Sequence, residues 1–299
     1  MLLDNLRVFI IIAEKGSLVA AARETGMSTT TVSERLAALE AHYGVVLFNR
    51  TTRSISLTEE GRTLVEGAKS VLSEVADLDT RIRHGAETLS GLIRISAPVD
   101  LGRSFISQAI STFADENPAV SFELSLSDGY VDLVGQGFDM AVRFGNVTDS
   151  TLRVRSLGTF QRLVCAAPAY FEKHGTPQSP DDLKDHDCLV MRFGETLDNV
   201  WEFGEGPNRR RMTVRGSRVV NDGWLIRSWA LAGNGIVLKS ELDVAEDIRT
   251  GSLVPVLSEH LPPPNPLQMM FPPGRAQPHR VTAFADHLRS SVCSPLRRR

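Results

Sequence analysis

Residues 17–36 read Ser17-Leu18-Val19-Ala20-Ala21-Ala22-Arg23-Glu24-Thr25-Gly26-Met27-Ser28-Thr29-Thr30-Thr31-Val32-Ser33-Glu34-Arg35-Leu36, and the punctuation in this stretch decides the fold. Ser17 is placed to cap a helix over Leu18–Thr25, and Gly26 stops it in a left-handed position that side chains avoid. Ser28 then caps another helix reaching about Tyr43, with Val32, Leu36 and Leu39 as its buried face. The small side chains of Ala20, Ala21 and Ala22 let a neighbouring helix cross closely. A connection of about four residues between two such helices is the helix-turn-helix plan. The other reading of the same residues is a helix hairpin in an ordinary helical domain, with the hydroxyls serving only as caps.

Upstream, Leu3, Leu6, Phe9, Ile10 and Ala13 recur at helical spacing, and Gly16 closes that first helix. Downstream, Val46 to Thr58 alternates apolar and polar residues about a polar turn, which predicts a small β-hairpin, a wing. Thr58 caps a long helix with Glu59 and Glu60 in its first turn. Along it Leu64, Ala68, Val71, Val75, Leu78 and Ile82 are spaced 4, 3, 4, 3 and 4 apart, an a/d seam that requires a partner helix. A second copy of the chain is the simplest source of one.

From Gly91 the texture becomes strands alternating with helices. Leu92–Ser96, Val120–Leu126 and Phe138–Arg143 read as strands, Leu101–Asn117 and Asp132–Gln136 as helices. That βαβαβ order predicts a mostly parallel sheet. A second unit starts near Arg162, with a hairpin around Trp201–Val214, a strand-helix-strand over Val219–Leu238 and a strand at Leu253–Val256. The run Leu261-Pro262-Pro263-Pro264-Asn265-Pro266 breaks regular structure. A last strand (Leu267–Phe271) and helix (Val281–Ser290) return to the first unit, giving two lobes with a double crossover.

Composition bounds the rest. At 299 residues the chain exceeds one ordinary core, and 42% hydrophobic with 23% charged residues excludes disorder for most of it. No apolar run approaches the ~18 residues of a membrane helix, and no secretory leader is seen, so a cytoplasmic protein is expected. Cys165, Cys188 and Cys293 are widely spaced and read as small core residues. Net charge does not argue for nucleic acid: residues 1–60 hold six basic against seven acidic side chains, so only placement does.

The ordered, gap-free pattern Ser17-x-x-x-Ala21-Ala22, Val32-Ser33, Leu39-Glu40 and Gly44-x-x-Leu47-Phe48-Asn49-Arg50-Thr51-Thr52-Arg53-x-Ile55-x-Leu57-Thr58-x-x-Gly61 resembles the LysR-type transcriptional regulators. So do Phe138-Asp139-x-Ala141-Val142-Arg143-Phe144-Gly145, Ala166-x-Pro168-x-Tyr170, Asn221-Asp222 and Ala232-Gly233-x-Gly235-Ile236, and the resemblance spans essentially the whole chain. It implies an N-terminal all-α winged helix-turn-helix with a long linker helix, and a C-terminal α/β two-lobed, periplasmic-binding-protein-like effector domain. The boundaries expected are 1–58 for the DNA-binding domain and 59–90 for the dimerisation helix. The effector-binding domain takes 91–299, with lobe I about 91–160 and 267–299 and lobe II about 161–266. Such regulators bind double-stranded DNA at an interrupted inverted repeat, respond to a small-molecule effector between the lobes, and assemble as homodimers and dimers of dimers, with RNA polymerase as a possible partner.

The expected DNA-reading residues are Ser28, Thr29, Thr30, Thr31, Ser33, Glu34 and Arg35 on the third helix, with Arg50, Thr52 and Arg53 in the wing. Glu34 departs from the basic residue many members carry. It either accepts from cytosine N4 or pairs with a cation such as Arg23 or Arg35. Thr29-Thr30 stands where Gln-Pro is frequent. Ligands in open α/β sheets sit beyond the carboxyl ends of strands. That places Pro98, Val99, Asp100, Asp128, Arg143 and Phe144 in the effector site, with Asp222 across the cleft and the aromatics Phe193 and Trp201 beside it. Arg143 is either a carboxylate anchor or an ordinary ion-pair partner. Two acids at the mouth, Asp100 and Asp128, argue against a simple anionic effector and for one bearing an amine or hydroxyl. Catalytic, metal and cofactor signals are lacking: there is no G-x-S-x-G or P-loop, Gly233-Asn234-Gly235 is a helix stop, and His174, Asp185, His186, Asp187 and Cys188 match no standard metal spacing. The rival reading is a two-lobed solute-binding or enzymatic protein whose N-terminal helices only mediate assembly.

Overall fold

The computed structural model describes residues 2–50, 55–84, 88–145, 151–204, 209–273 and 277–296, which form two compact units, Met1–Gly91 and Leu92–Arg299.

The N-terminal unit begins with α1 (Leu2–Lys15), α2 (Leu18–Thr25) and α3 (Thr29–Tyr43). Both serine caps form: Ser17 Oγ accepts from the Ala20 N–H at 3.4 Å, and Ser28 Oγ from the Thr31 N–H at 3.0 Å. Gly26 and Gly44 end α2 and α3 with φ of 66° and 68°, the region where an L side chain meets its own backbone. Phe9, Ile12, Ala21, Val32, Leu36 and Leu39 have no exposed surface and form the core, which Phe48 closes with its ring 5.4 Å from that of Phe9. The strands β1 (Phe48–Arg50) and β2 (Ile55–Leu57) pair antiparallel as the expected hairpin, Phe48 opposite Leu57. Its turn, residues 51–54, lies outside the described residues.

Helix α4 (Glu59–His84) is capped by Thr58, whose Oγ accepts from the Gly61 N–H at 2.9 Å. Leu64 and Ala68 on its first turns pack into the core described above. Farther along, Val71, Leu78 and Ile82 stand 38%, 52% and 74% exposed, so the second half of the apolar seam is uncovered in the single chain.

The C-terminal unit opens with β3 (Gly91–Ala97), α5 (Val99–Leu101), a π-helical turn at Gly102–Ile106, α6 (Ser107–Glu116), β4 (Val120–Leu126), β5 (Met140–Phe144) and β6 (Arg153–Phe160). The chain then passes into the second lobe through β7 (Arg162–Ala166), α7 (Pro168–His174), β8 (Val190–Phe193), β9 (Thr196–Leu197), β10 (Val200–Phe203), β11 (Arg210–Thr213), β12 (Val219–Val220), α8 (Gly223–Leu231), β13 (Val237–Ser240), α9 (Glu241–Arg249) and β14 (Val254–Val256). It returns as β15 (Asn265–Phe271) and α10 (His279–Leu296). The first lobe holds a sheet ordered β4-β3-β5-β15-β6. The second holds β13-β7-β14, β12-β8-β9 and the hairpin β10-β11 around a core of Tyr170, Leu183, Trp201, Phe203 and Ile236.

Three expectations change, and one strand is new. The sheets are mixed: β3 and β5 run parallel, but β15 arrives from the far lobe antiparallel to both β5 and β6. The helix expected from Leu101 starts at Val99, directly after Pro98, and absorbs an extra residue in its π turn. There Gly102 fits against Leu126, whose Cδ2 a Cβ would approach to 2.2 Å. Asp132–Gln136 is a turn, because the Asp132 carboxylate takes the Gly135 N–H at 2.9 Å and Gly137 adopts a φ of 68°. Strand β6, which carries Arg153, Arg155 and Ser156, was not legible from alternation.

One glycine ties wing to long helix. A Cβ on Gly61 would fall 2.2 Å from the Leu47 carbonyl oxygen, which itself accepts the Thr58 N–H. Gly61→Ala is therefore expected to destabilise the N-terminal unit by about 2 kcal/mol or more, as overpacking against immobile backbone does, measured by urea unfolding of the full chain.

Candidate functional site

Each unit presents a surface with chemical content. On α3 the buried stripe of Val32, Leu36 and Leu39 leaves Thr29, Thr30 and Glu34 on the exposed side at the helix start, with Thr31, Ser33 and Arg35 half-buried beside them. Ser28 and Thr31 share a hydroxyl–hydroxyl hydrogen bond of 2.9 Å, so the cap and its neighbour are already engaged. Glu34 forms no ion pair with Arg23 or Arg35 among the described residues. The wing residues Thr52 and Arg53 lie outside the described residues, as does the side chain of Arg50, whose backbone ends β1.

Between the lobes of the C-terminal unit lies a cavity of about 510 Å³, bounded by Pro98, Asp100, Asp128, Arg143, Phe144 and Phe193, all expected from sequence. The carboxyl ends of β3 and β5 supply Pro98, Phe144 and Gly145 to its rim, as the open-sheet rule requires. Three expected residues sit elsewhere. Val99 turns its side chain inward and contributes only its N–H, which donates to Asp128 at 3.0 Å. Asp222 is spent on capping α8, its Oδ1 accepting the Leu225 N–H at 2.9 Å. Trp201 is buried in the second lobe, its indole N–H donating to the Asp198 carbonyl at 3.0 Å. It is a large aromatic in a hairpin strand, and the core claimed it.

Sequence reading missed the other wall: Arg162, Asp198, Gly223, Lys239, Ser240 and Asp243. Lys239 lies in the middle of an apolar strand and looks like a solvated lysine. Its Nζ is instead 2.6 Å from Asp100 Oδ2 and 3.0 Å from Asp243 Oδ2. Burial would push the ammonium down, but the carboxylates of Asp243 and Asp100 reverse that and hold it above its ordinary value. Asp128 accepts the Val99 N–H on one oxygen and the Gly223 N–H at 2.6 Å on the other. Both acids at the mouth are thus already answered, Asp100 by an ammonium and Asp128 by two backbone amides.

Arg143 is different. Its guanidinium donates to Ser96 Oγ and to the Val142 carbonyl, both at 2.7 Å, and makes no carboxylate ion pair among the described residues. Burial lowers its pKa to about 10, with Asp128 opposing the shift. A desolvated cation with unused N–H groups at a cavity wall is suited to a planar oxyanion.

The segment weighed for metal ligands is tied together by its own hydrogen bonds. Tyr170 Oη bonds His186 Nδ1 at 3.2 Å and accepts the Asp187 N–H at 3.0 Å, while the Asp187 carboxylate holds Ser217. Among the described residues no group of three or more metal-ligating side chains assembles, and no helix is long and apolar enough to cross a membrane.

The comparisons with known proteins agree on both units. A family model described as a bacterial regulatory helix-turn-helix protein of the lysR family matches residues 3–62, and the LysR substrate binding domain matches residues 86–292. The HTH-type transcriptional regulator DmlR of Escherichia coli (strain K12) is 35% identical over 264 residues, 88% of this chain and 86% of that protein. The solved structure of CrgA, a LysR-type transcriptional regulator from Neisseria meningitidis, superposes with a TM-score of 0.63 at 31% identity, covering 97% of this chain and 98% of that one. The full-length Vibrio cholerae virulence activator AphB gives 0.60 at 28%, covering 96% and 98%.

Two buried thiols test the packing around this site. Burial pushes Cys165 and Cys188 up to about 12, which leaves a thiolate fraction of ~10⁻⁴ at pH 8. In a Cys293→Ser variant, iodoacetamide at pH 8 is expected to spare both in the folded protein and modify both after guanidinium unfolding, read by peptide mass spectrometry.

Proposed function

Because this chain belongs to the LysR-type transcriptional regulators, in which a helix-turn-helix unit precedes an effector-binding domain, we propose how its own residues divide the work. Residues 1–58 bind an interrupted inverted repeat in double-stranded DNA, residues 59–90 dimerise, and residues 91–299 bind a small molecule between lobe I and lobe II. The protein acts in the cytoplasm and carries out no catalysis. Dimers pair into tetramers, and the bound regulator contacts RNA polymerase.

On the DNA side, Thr29, Thr30, Ser33, Glu34 and Arg35 face the major groove at the start of α3, with Ser28 and Thr31 holding that start in place. Exposure of Thr29, Thr30 and Glu34 opposite the buried stripe supports this assignment. Glu34 pairs with no cation among the described residues, which favours acceptance from a base edge, with cytosine N4 the matching donor. Arg50, Thr52 and Arg53 make the phosphate contacts of the wing. The seam of Val71, Leu78 and Ile82, exposed in the single chain, and half-buried Val75 joins a second copy of the chain, as a run of apolar a/d positions requires.

The observation that carries the effector assignment is Arg143, a half-buried guanidinium at the wall of the inter-lobe cavity that makes no carboxylate ion pair among the described residues. In place of the amine- or hydroxyl-bearing effector expected from two acids at the mouth, which Lys239 and two backbone amides already answer, the effector is a small oxyanion, a carboxylate being the best match, bound bidentately at Arg143 with Phe144 and Phe193 against its apolar part. A ligand shifts the subunit arrangement only through different affinities for its two states. The cleft between two lobes supplies that difference.

Mobility shifts with DNA from upstream of the protein's own gene, at two salt concentrations, test the reading. A salt-sensitive footprint over an inverted repeat is expected. Arg50→Ala with Arg53→Ala should weaken binding and reduce the slope of log affinity against log salt by about 2. No change in slope would remove the wing from the interface. Leu78→Glu with Ile82→Glu should shift the sedimenting species to monomer and abolish the footprint.

A further inference from the structure

The position between the two lobes where an open α/β domain offers backbone amides to a ligand anion is already filled. Asp128 follows β4 in the first lobe, and its carboxylate spans the gap: Oδ1 accepts the Val99 N–H at 3.0 Å and Oδ2 the Gly223 N–H at 2.6 Å, the latter at the first residue of α8 in the second lobe. Gly223 is the centre of a wider clasp. Its carbonyl lies 3.4 Å from Lys239 Nζ, which reaches across to Asp100 in the first lobe. A Cβ on Gly223 would stand 3.1 Å from Asp128 Oδ2, 3.2 Å from Lys239 Nζ and 3.5 Å from Asp100 Oδ2. Glycine here lets three charged groups from two lobes close on one backbone unit.

We infer that Asp128 is a tethered anion: the chain occupies its own inter-lobe anion position, so the lobes are held together before any effector arrives, and an incoming anionic group is directed to Arg143. The first part stands on the two hydrogen bonds alone. The second rests on the effector reading above. Asp128 is then a specificity-determining residue, because two amides that would otherwise hold a ligand carboxylate are denied to it, and Arg143, which makes no carboxylate ion pair among the described residues, becomes the anchor. The arrangement also fixes charge balance. Asp128 opposes the lowering that burial imposes on Arg143 and makes no ion pair with it among the described residues.

The inference is tested by chemical rescue in the full-length protein. Asp128→Ala removes the carboxylate and leaves two unanswered amides with space between them. Its thermal midpoint should fall, and formate should raise it saturably by several degrees, whereas formamide, of the same size without charge, and chloride should not. Asp128→Asn keeps the volume filled and should show no formate effect. The wild type should respond no more than that variant. A rise with formamide equal to that with formate, or an equal rise in Asp128→Asn, would overturn the tethered anion. If Asp128→Ala is insoluble, purification in formate against purification in formamide gives the same answer: soluble protein only with formate supports the inference, and recovery in both or neither overturns it. Failure of the effector reading looks different, since Asp128→Ala would still be rescued by formate while Arg143→Ala left every DNA response to effector extracts unchanged.

Discussion

A buried charge must be answered, and at the inter-lobe clasp Asp100, Lys239 and Asp243 answer one another. Lys239 would not sit in a hydrophobic strand without Asp100 and Asp243, and Asp100 would not sit at a buried helix start without Lys239. Because one partner comes from each lobe, neutralisation and lobe closure are the same event. Asp243 completes the set imperfectly: its Oδ1 is buried with no hydrogen-bond partner. The cavity keeps its shape because the clasp does, and Arg143 keeps its unused N–H groups because the nearest acid is engaged elsewhere.

The N-terminal unit follows a different logic, with apolar packing and caps in place of buried charge. The serine and glycine caps set where α2 and α3 begin and end, and their buried stripes then fix which side chains remain outside. The ion pairs of Lys15 with Glu24 and of Lys69 with Glu14 lie at its periphery. Such exposed pairs contribute little. The unit is held instead by the interlocked rings and aliphatic side chains around Phe9.

How much of this could be read from residues alone varies with the kind of signal. Caps and helical spacing are local, so α1 to α4 and the hairpin were legible from Ser17, Gly26, Ser28 and Thr58. The rim of the cavity was legible where it follows strand ends, as at Pro98 and Phe144. The far wall was not, because Lys239 and Asp243 are ordinary residues until β13 is paired beside β7 and α9 folds back on it, a tertiary fact with no sequence period. Trp201 misled for the converse reason: an aromatic has affinity for any apolar surroundings, and sequence does not say which. Strand β15 changed the sheet from parallel to mixed because the returning chain's direction depends on where the inserted lobe ends.

That insertion has a kinetic consequence. The second lobe, Arg162 to about Pro264, is strung between two strands that lie side by side, Phe160 being paired with Asn265. The first lobe's sheet therefore cannot be completed until more than a hundred intervening residues have brought their ends together, a closure that is entropically costly for an open chain. Folding of the second lobe, whose own strands and helices are contiguous in sequence, would lower that cost by bringing its two ends together, where the Gln161 side chain bonds the Pro262 carbonyl. The topology thus favours assembly of the C-terminal unit from the inside of the sequence outward, with completion of the first lobe's sheet dependent on the second lobe even where the two make no direct contact.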